Sequence, residues 1–233
     1  MEFSYFRHMR TTLRAAWAIF QRELLQERRT RFTVHSVLAF TGSALLVILF
    51  AVRAQTLDPT PRSGVIWIVL LFSGLSAAAR GFLQEKDQGT LALLRIHTEP
   101  LAVFLGKWFY GAVFLAGLLA ATLALYAVVM GMGIPSPLSF AVSVLAGAVG
   151  LSGVTTLTSA MMVQTDRRGS LFQVLSVPLL VPLILLLTRV TRDALVDGNP
   201  SAVLSDYAAL GGFCGVVLTL GVLLFGNVFR EEG

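Results

Sequence analysis

The sequence predicts an all-α membrane protein with six transmembrane helices, an N-terminal amphipathic interfacial helix and both termini in the cytoplasm. Of the 233 residues, 55% are hydrophobic and only 13% are charged, and the mean hydropathy is +0.77. Soluble domains carry about 25% charged residues, so most of this chain has to face lipid or itself. The charged residues also fall between long uncharged runs, and Lys and Arg concentrate in alternate connecting segments.

This composition excludes several classes of protein. The chain is too apolar to be intrinsically disordered, and its single cysteine, Cys214, cannot form an intrachain disulfide. The isoelectric point near 10.0 reflects arginines beside apolar segments rather than a nucleic-acid-binding face.

Residues 1–32 form the predicted interfacial helix. Apolar residues recur there at helical spacing and arginines flank them, which is typical of a helix lying at a membrane surface. The stripe consists of Phe6, Met9, Leu13, Trp17, Phe20 and Leu24. Two interpretations stay open: the helix only anchors the chain, or it also packs on a cytoplasmic partner.

Residues 33–233 form the predicted six-span domain. A membrane-crossing helix needs about 20 largely apolar residues, because every backbone amide must be satisfied inside the segment. The runs that qualify are Val34–Val52, Gly64–Ala79, Phe109–Met132, Leu138–Val163, Leu171–Thr188 and Ala208–Val228. No charged residue falls inside them, which argues against a transporter with a coupling-ion site.

The distribution of Lys and Arg predicts the orientation. Residues 1–32, 80–108 and 164–170 and the C-terminal tail hold fourteen of them, whereas the opposite set of segments holds four. Short cytoplasmic loops carry the excess of basic residues. Both termini are therefore expected in the cytoplasm.

The loop of residues 80–108 contains a predicted short helix. Gly89 can end the incoming helix and Thr90 can cap a new one, which then stops before Pro100. Its apolar side chains are Leu91, Leu93, Leu94 and Ile96. These leucines either dock on a protein partner or rest on the bilayer surface.

This loop resembles the signature of ABC-2 type permeases. The residues that carry the resemblance are Glu85, Gly89, Thr90, Leu91, Leu94, Pro100, Gly106 and Lys107. The resemblance implies that the loop is a coupling element that docks on a nucleotide-binding subunit.

Two further stretches resemble, more narrowly, the haem exporter B subunits of the ABC complex for cytochrome c maturation. The first is Gly64–Phe72, which contains Trp67. The second is Asp166–Pro182, which contains Arg167 and Arg168 of the second cytoplasmic loop and the prolines Pro178 and Pro182. The prolines indicate a kink in the fifth span or a fit to neighbouring helices.

The resemblance implies a non-catalytic permease subunit in a bacterial inner membrane, which couples ATP hydrolysis elsewhere to release of a haem-loaded chaperone. The implied partners are two copies of an ABC ATPase, a second copy of the chain, a haem-handling membrane subunit, a periplasmic haem chaperone and membrane lipid, with no nucleic acid. ATP, magnesium and haem are then held by partner subunits. Two alternatives are a general ABC-2 exporter of saccharide, lipid, drug or peptide, and a membrane scaffold that transports nothing.

Motifs that the sequence lacks agree with this interpretation. Gly106-Lys107 is followed by Trp108 and lacks the upstream glycine of a phosphate-binding loop, so the sequence predicts no ATP site. Gly150-Leu-Ser152-Gly153 would match a protease nucleophile, but such a serine needs a histidine on a facing span. The histidines are His8, His35 and His97, none of them placed for that base or for a haem ligand.

Overall fold

Seven helices, and no strands, make up the part of the chain that the structure describes. This computed structural model describes residues 2–30, 32–51, 58–78, 96, 98–130, 136–163, 170–196 and 200–230. The helices are α1 (Glu2–Thr30), α2 (Phe32–Ala51), α3 (Pro59–Ala78), α4 (Pro100–Met130), α5 (Pro137–Val163), α6 (Ser170–Leu195) and α7 (Pro200–Arg230). The predicted all-helical membrane fold is confirmed for these residues.

Proline sets where four of these helices begin. Pro59, Pro100, Pro137 and Pro200 are the first residues of α3, α4, α5 and α7. Proline suits the first helical position because its fixed φ is already helical and its missing N–H would have no partner there.

The six predicted spans fall in α2 to α7, and several of these helices extend beyond the predicted spans. α4 begins well before the predicted Phe109, α7 begins well before Ala208, and α6 continues past Thr188 to Leu195. Hydropathy marks the run that suits lipid, whereas backbone signals such as proline set the ends of the helix.

Among the residues that the structure describes, three helices are long and apolar enough to cross a membrane on their own. The segments are Pro100–Thr122, Leu138–Met161 and Leu204–Gly226. A fourth span results if Arg10–Arg29 and Val34–Ile48, which meet at 73°, are counted together. These criteria support a multi-pass membrane protein, and the number of six spans stays a prediction.

α5 is the central helix of the bundle. Inside its span 72% of the residues are buried, against 28% for the span of α7. It packs against α4, α6 and α7, and from Leu151 to Ala160 every residue is buried. Most of the residues of that stretch are small or hydroxylated, so neighbouring helices can approach it closely.

A tryptophan lies directly over a glycine of α5. Trp67 of α3 is buried and donates its indole N–H to Thr191 Oγ1 of α6 at 2.8 Å. A Cβ atom at Gly147 would overlap the Trp67 ring. The hydrogen bond holds the ring in place, so only glycine fits beneath it.

Two groups of glycines differ in their surroundings. Gly150 and Gly153 contact side chains of α6 and α7, so these α5 glycines have a packing role. Gly211 and Gly215, in contrast, lie on the outer side of α7 with open space where a side chain would stand.

α6 runs without interruption through its two prolines. Pro178 and Pro182 lie inside the helix, and both side chains are exposed on its outer side. The buried residues of this stretch, Ser176, Leu180 and Leu183, lie on the opposite side. The predicted kink stays a prediction, and the prolines do not fill the core.

Gly147→Ala should destabilise the fold. The new methyl group would meet the Trp67 ring, and overpacking of this kind lowers the free energy of unfolding by about 1–3 kcal/mol. Gly211→Ala is the matched control, because it adds the same methyl group to open space and gains helix propensity of about 1 kcal/mol. Thermal unfolding in detergent should separate the two variants, and equal midpoints would contradict the Trp67 contact.

Candidate functional site

The predicted ATPase-docking residues fall largely outside the described part of the chain. The docking residues outside the described part are Glu85, Gly89, Thr90, Leu91 and Leu94. The predicted residues of the second cytoplasmic loop, Asp166, Arg167 and Arg168, also lie outside it. Their roles stay predictions. Pro100 is described, and it is the first residue of α4.

The candidate site is the junction where α1 packs on the first turns of α4. The buried face of α1 consists of Thr12, Ala16, Ile19 and Phe20. Ile19 also joins a small apolar cluster with Val103 and Phe104 of α4. The junction directly follows the predicted coupling segment along the chain.

The face of α1 that meets the bundle is rotated away from the apolar stripe that the sequence indicated. Leu13 and Trp17 of the stripe are 57% and 52% exposed, whereas Phe20 is buried and Leu24 is half-buried. Phe6 and Met9 are helical, but the structure does not describe their side chains. The exposed part of the stripe is free to meet the membrane interface, and that contact stays a prediction.

Gly106 lets the two helices come into backbone contact. A Cβ atom at this position would lie 2.7 Å from the carbonyl oxygen of Ala16 and 2.8 Å from Cβ of Ile19. Any side chain would therefore push α1 off α4. The glycine that carried part of the family resemblance thus has a packing role.

Lys107, next in the chain, forms a buried ion pair. Its Nζ donates to Oε1 of Glu23 at 2.9 Å, and the two side chains are only 6% and 14% exposed. The pairing is what makes burial of the lysine tolerable, because an unpaired ammonium group in an apolar setting is costly.

The position of Lys107 corrects two expectations. The sequence placed it in an exposed cytoplasmic loop of residues 80–108, but α4 already begins at Pro100. The sequence also predicted no charge within a span, yet Lys107 lies inside the candidate span Pro100–Thr122. A run of apolar residues cannot reveal this, because the neutralising Glu23 is on another helix.

Trp108 connects the same turn of α4 to the central helix. Its indole N–H donates to the carbonyl of Val149 at 3.2 Å, and Ser152 Oγ donates to the carbonyl of Trp108 at 2.7 Å. Ser152 is therefore a helix-contact residue, and its acceptor is on α4 rather than on its own helix. Consecutive residues of α4 thus hold α1 on one side and α5 on the other.

Two further polar contacts tie α1 to its neighbours. Thr12 Oγ1 donates to Glu99 Oε2 at 2.8 Å, just before α4 begins. At the other end of α1, the carboxylate of Glu27 accepts the amide N–H of Val34 at 3.0 Å. That amide belongs to the first turn of α2, where N–H groups lack partners within the helix.

The two flanks of α1 differ in chemistry. On one flank Trp17 stacks on Phe20, with ring centroids 5.0 Å apart, and Phe20 lies 4.9 Å from Phe109 of α4. On the other flank is an open cleft of about 400 Å³. Its lining residues are Thr11, Thr12, Ala15, Ala18, Ile19, Arg22, Thr98 and Glu99.

Metal-binding chemistry is absent from the described ranges. These ranges contain no group of three His, Cys, Asp or Glu side chains able to hold a metal ion. Cys214 is buried within α7, and His35 is an exposed residue of α2. What the junction offers is mechanical contact between helices.

Comparison with known proteins gives two matches. The family model described as CcmB protein matches residues 14–231. Heme exporter protein B of Rhodobacter capsulatus is 29% identical over 151 residues, covering 63% of this chain and 69% of that protein. The family match includes the start of α4.

Glu23→Gln should weaken the attachment of α1. Removing one charge of a buried pair lowers the free energy of unfolding by about 3 kcal/mol. Asp193→Asn is the control, because it breaks the Arg192–Asp193 pair, whose arginine is 44% exposed, and exposed pairs contribute about 1 kcal/mol or less. Denaturant unfolding in micelles measures both; a control as destabilised as Glu23→Gln would show that burial does not set the cost.

Proposed function

Since the chain belongs to the CcmB family, we propose that it is the permease subunit of a haem-exporter ABC complex that serves cytochrome c maturation. The observation that carries this proposal is the family match, which runs from α1 to the end of α7. The similar protein of Rhodobacter capsulatus carries the name heme exporter protein B. In this proposal the chain hydrolyses nothing, and a separate ATPase subunit binds ATP and magnesium.

The coupling step takes place at the segment before α4. The ATPase docks on Glu85, Gly89, Thr90, Leu91 and Leu94, and closure of its nucleotide sites displaces this segment. Pro100 then passes the displacement into α4. Support comes from the order along the chain, because the predicted docking residues precede a helix start that is fastened to both α1 and α5.

The assembly contains two copies of the chain and two copies of the ATPase. Membrane oligomers of this kind are usually symmetric, and paired nucleotide sites need paired permeases. A haem-handling membrane subunit and a periplasmic chaperone complete the complex. The rigid-body movement of helices drives release of the loaded chaperone, and haem stays with those partners because the sequence has three histidines and no evident ligand pair.

The complex resides in a bacterial inner membrane with both termini of this chain in the cytoplasm. The Lys and Arg distribution supports this orientation, with fourteen basic residues on the predicted inner side and four on the outer side. α1 then lies at the cytoplasmic surface, and Asp58, just before α3 begins, lies outside.

Leu91→Asp together with Leu94→Asp should abolish binding of the ATPase. Two carboxylates would have to be desolvated in an apolar contact, which costs several kcal/mol per ion even after relaxation. Copurification of the tagged ATPase with the full-length chain measures the effect, and ATP hydrolysis by the complex should fall with it.

The matched control is Leu25→Asp, which places the same charge on an exposed leucine of α1 outside the docking segment. It should leave copurification unchanged. If the double variant still retained the ATPase at the level of this control, the docking role would be wrong.

Cysteine labelling should reveal the orientation. In a Cys214→Ala background, Asp58→Cys should react with a membrane-impermeant maleimide in intact spheroplasts, because Asp58 is exposed just before α3 begins. Arg10→Cys, exposed on α1, should react only after lysis. The reverse pattern would overturn the proposed orientation.

A further inference from the structure

Two glutamates of α1, one helical turn apart, hold two different helices. Glu23 pairs with Lys107 of α4 at 2.9 Å, and Glu27 accepts the amide of Val34 in α2 at 3.0 Å. Residues four apart lie on the same face of a helix. One face of α1 therefore connects the starts of two candidate membrane helices.

The contacts between α1 and α4 run in the same order along both helices. Thr12 meets Glu99, Ala16 and Ile19 meet Gly106, and Glu23 meets Lys107. They begin before the first turn of α4 and continue through the second. α1 is therefore attached along its length rather than at a single point.

The last contact of this series is an ion pair where apolar residues would also pack. Replacement of a buried ion pair by apolar residues of similar volume is often neutral or stabilising. Two helices in apolar contact can shift along each other at little cost in free energy. A buried charge that loses its partner in such a shift raises the free energy strongly. The Glu23–Lys107 pair therefore fixes the register of α1 on α4, as buried polar groups do in coiled coils.

We propose that α1 is a transmission arm, in which Glu23 and Lys107 are positioning residues that make α1 and the first turns of α4 move as one body. Displacement of the segment before Pro100 then carries α1 with it, and Glu27 passes the movement to α2. This inference rests on the proposed function, because the docked ATPase supplies the displacement. It assigns to α1 a role beyond anchoring at the membrane surface.

Charge exchange tests the arm in the complete reconstituted complex with its ATPase, haem-handling subunit and chaperone. Glu23→Lys should leave the ATPase bound but lower chaperone release per ATP hydrolysed by roughly two- to thirtyfold, the usual range for residues that modulate coupling. Glu23→Lys combined with Lys107→Glu should restore the ratio to within about twofold. Amounts are normalised to the assembled complex isolated by gel filtration.

This ratio distinguishes coupling from folding. A merely structural pair would lower the yield of complex and leave release per ATP unchanged. An unchanged ratio in assembled Glu23→Lys complex, or a monodisperse double variant whose ratio stays low, would overturn the proposal. If the wild-type chain bound no ATPase in the same preparation, the proposed function itself would be wrong, which is a separate result.

A reversible cross-link tests whether α1 stays on α4 throughout the cycle. In a Cys214→Ala background, Thr12→Cys and Glu99→Cys are joined by a short reducible thiol cross-linker, since the native side chains are in hydrogen-bond contact. Release per ATP should stay within about twofold of the reduced sample. Loss of release on cross-linking, with recovery on reduction, would show that α1 must separate from α4 and would overturn the arm.

Discussion

The burial of Lys107 in an apolar helix is the constraint on which the junction of α1 and α4 depends. An ammonium group there needs a carboxylate at hydrogen-bond distance, and Glu23 is placed to supply it at 2.9 Å. Glu23 can reach it only if α1 lies against α4, and Gly106 permits that approach. The position of α1, the contact of Thr12 with Glu99 and the cleft beside them all follow from this requirement.

The helices of the bundle could be predicted from the sequence, because lipid demands long apolar runs with internally satisfied amides. The residues at which these helices begin and end could not be predicted in the same way. α4 begins at Pro100 and includes Lys107, although a hydropathy window ends a span where a charge occurs. The missing information was the partner of that charge, which lies far away in the chain. The sequence pattern marks Pro100 as a stop for the preceding segment, whereas in the structure it is a start.

The face of α1 that packs on α4 could not be predicted for a related reason. The stripe of large apolar residues predicts a contact with the membrane surface, whereas the opposing surface of α4 offers a glycine and a lysine. Small and acidic residues complement such a surface better, so Ala16 and Glu23 face it. The available signal was the pair of glutamates, Glu23 and Glu27, one turn apart in an otherwise basic helix.

The tripeptide Gly106-Lys107-Trp108 explains how a contact at the surface can reach the core. It fails as a phosphate-binding loop, and its three residues instead connect three helices. Gly106 and Lys107 meet α1, while Trp108 exchanges two hydrogen bonds with α5, through Val149 and Ser152. Since α5 is the most buried of the candidate spans, a displacement of this turn of α4 would press against a closely packed helix. Packed interiors shift between discrete arrangements rather than deform continuously, so displacement of this turn has to move neighbouring helices as units.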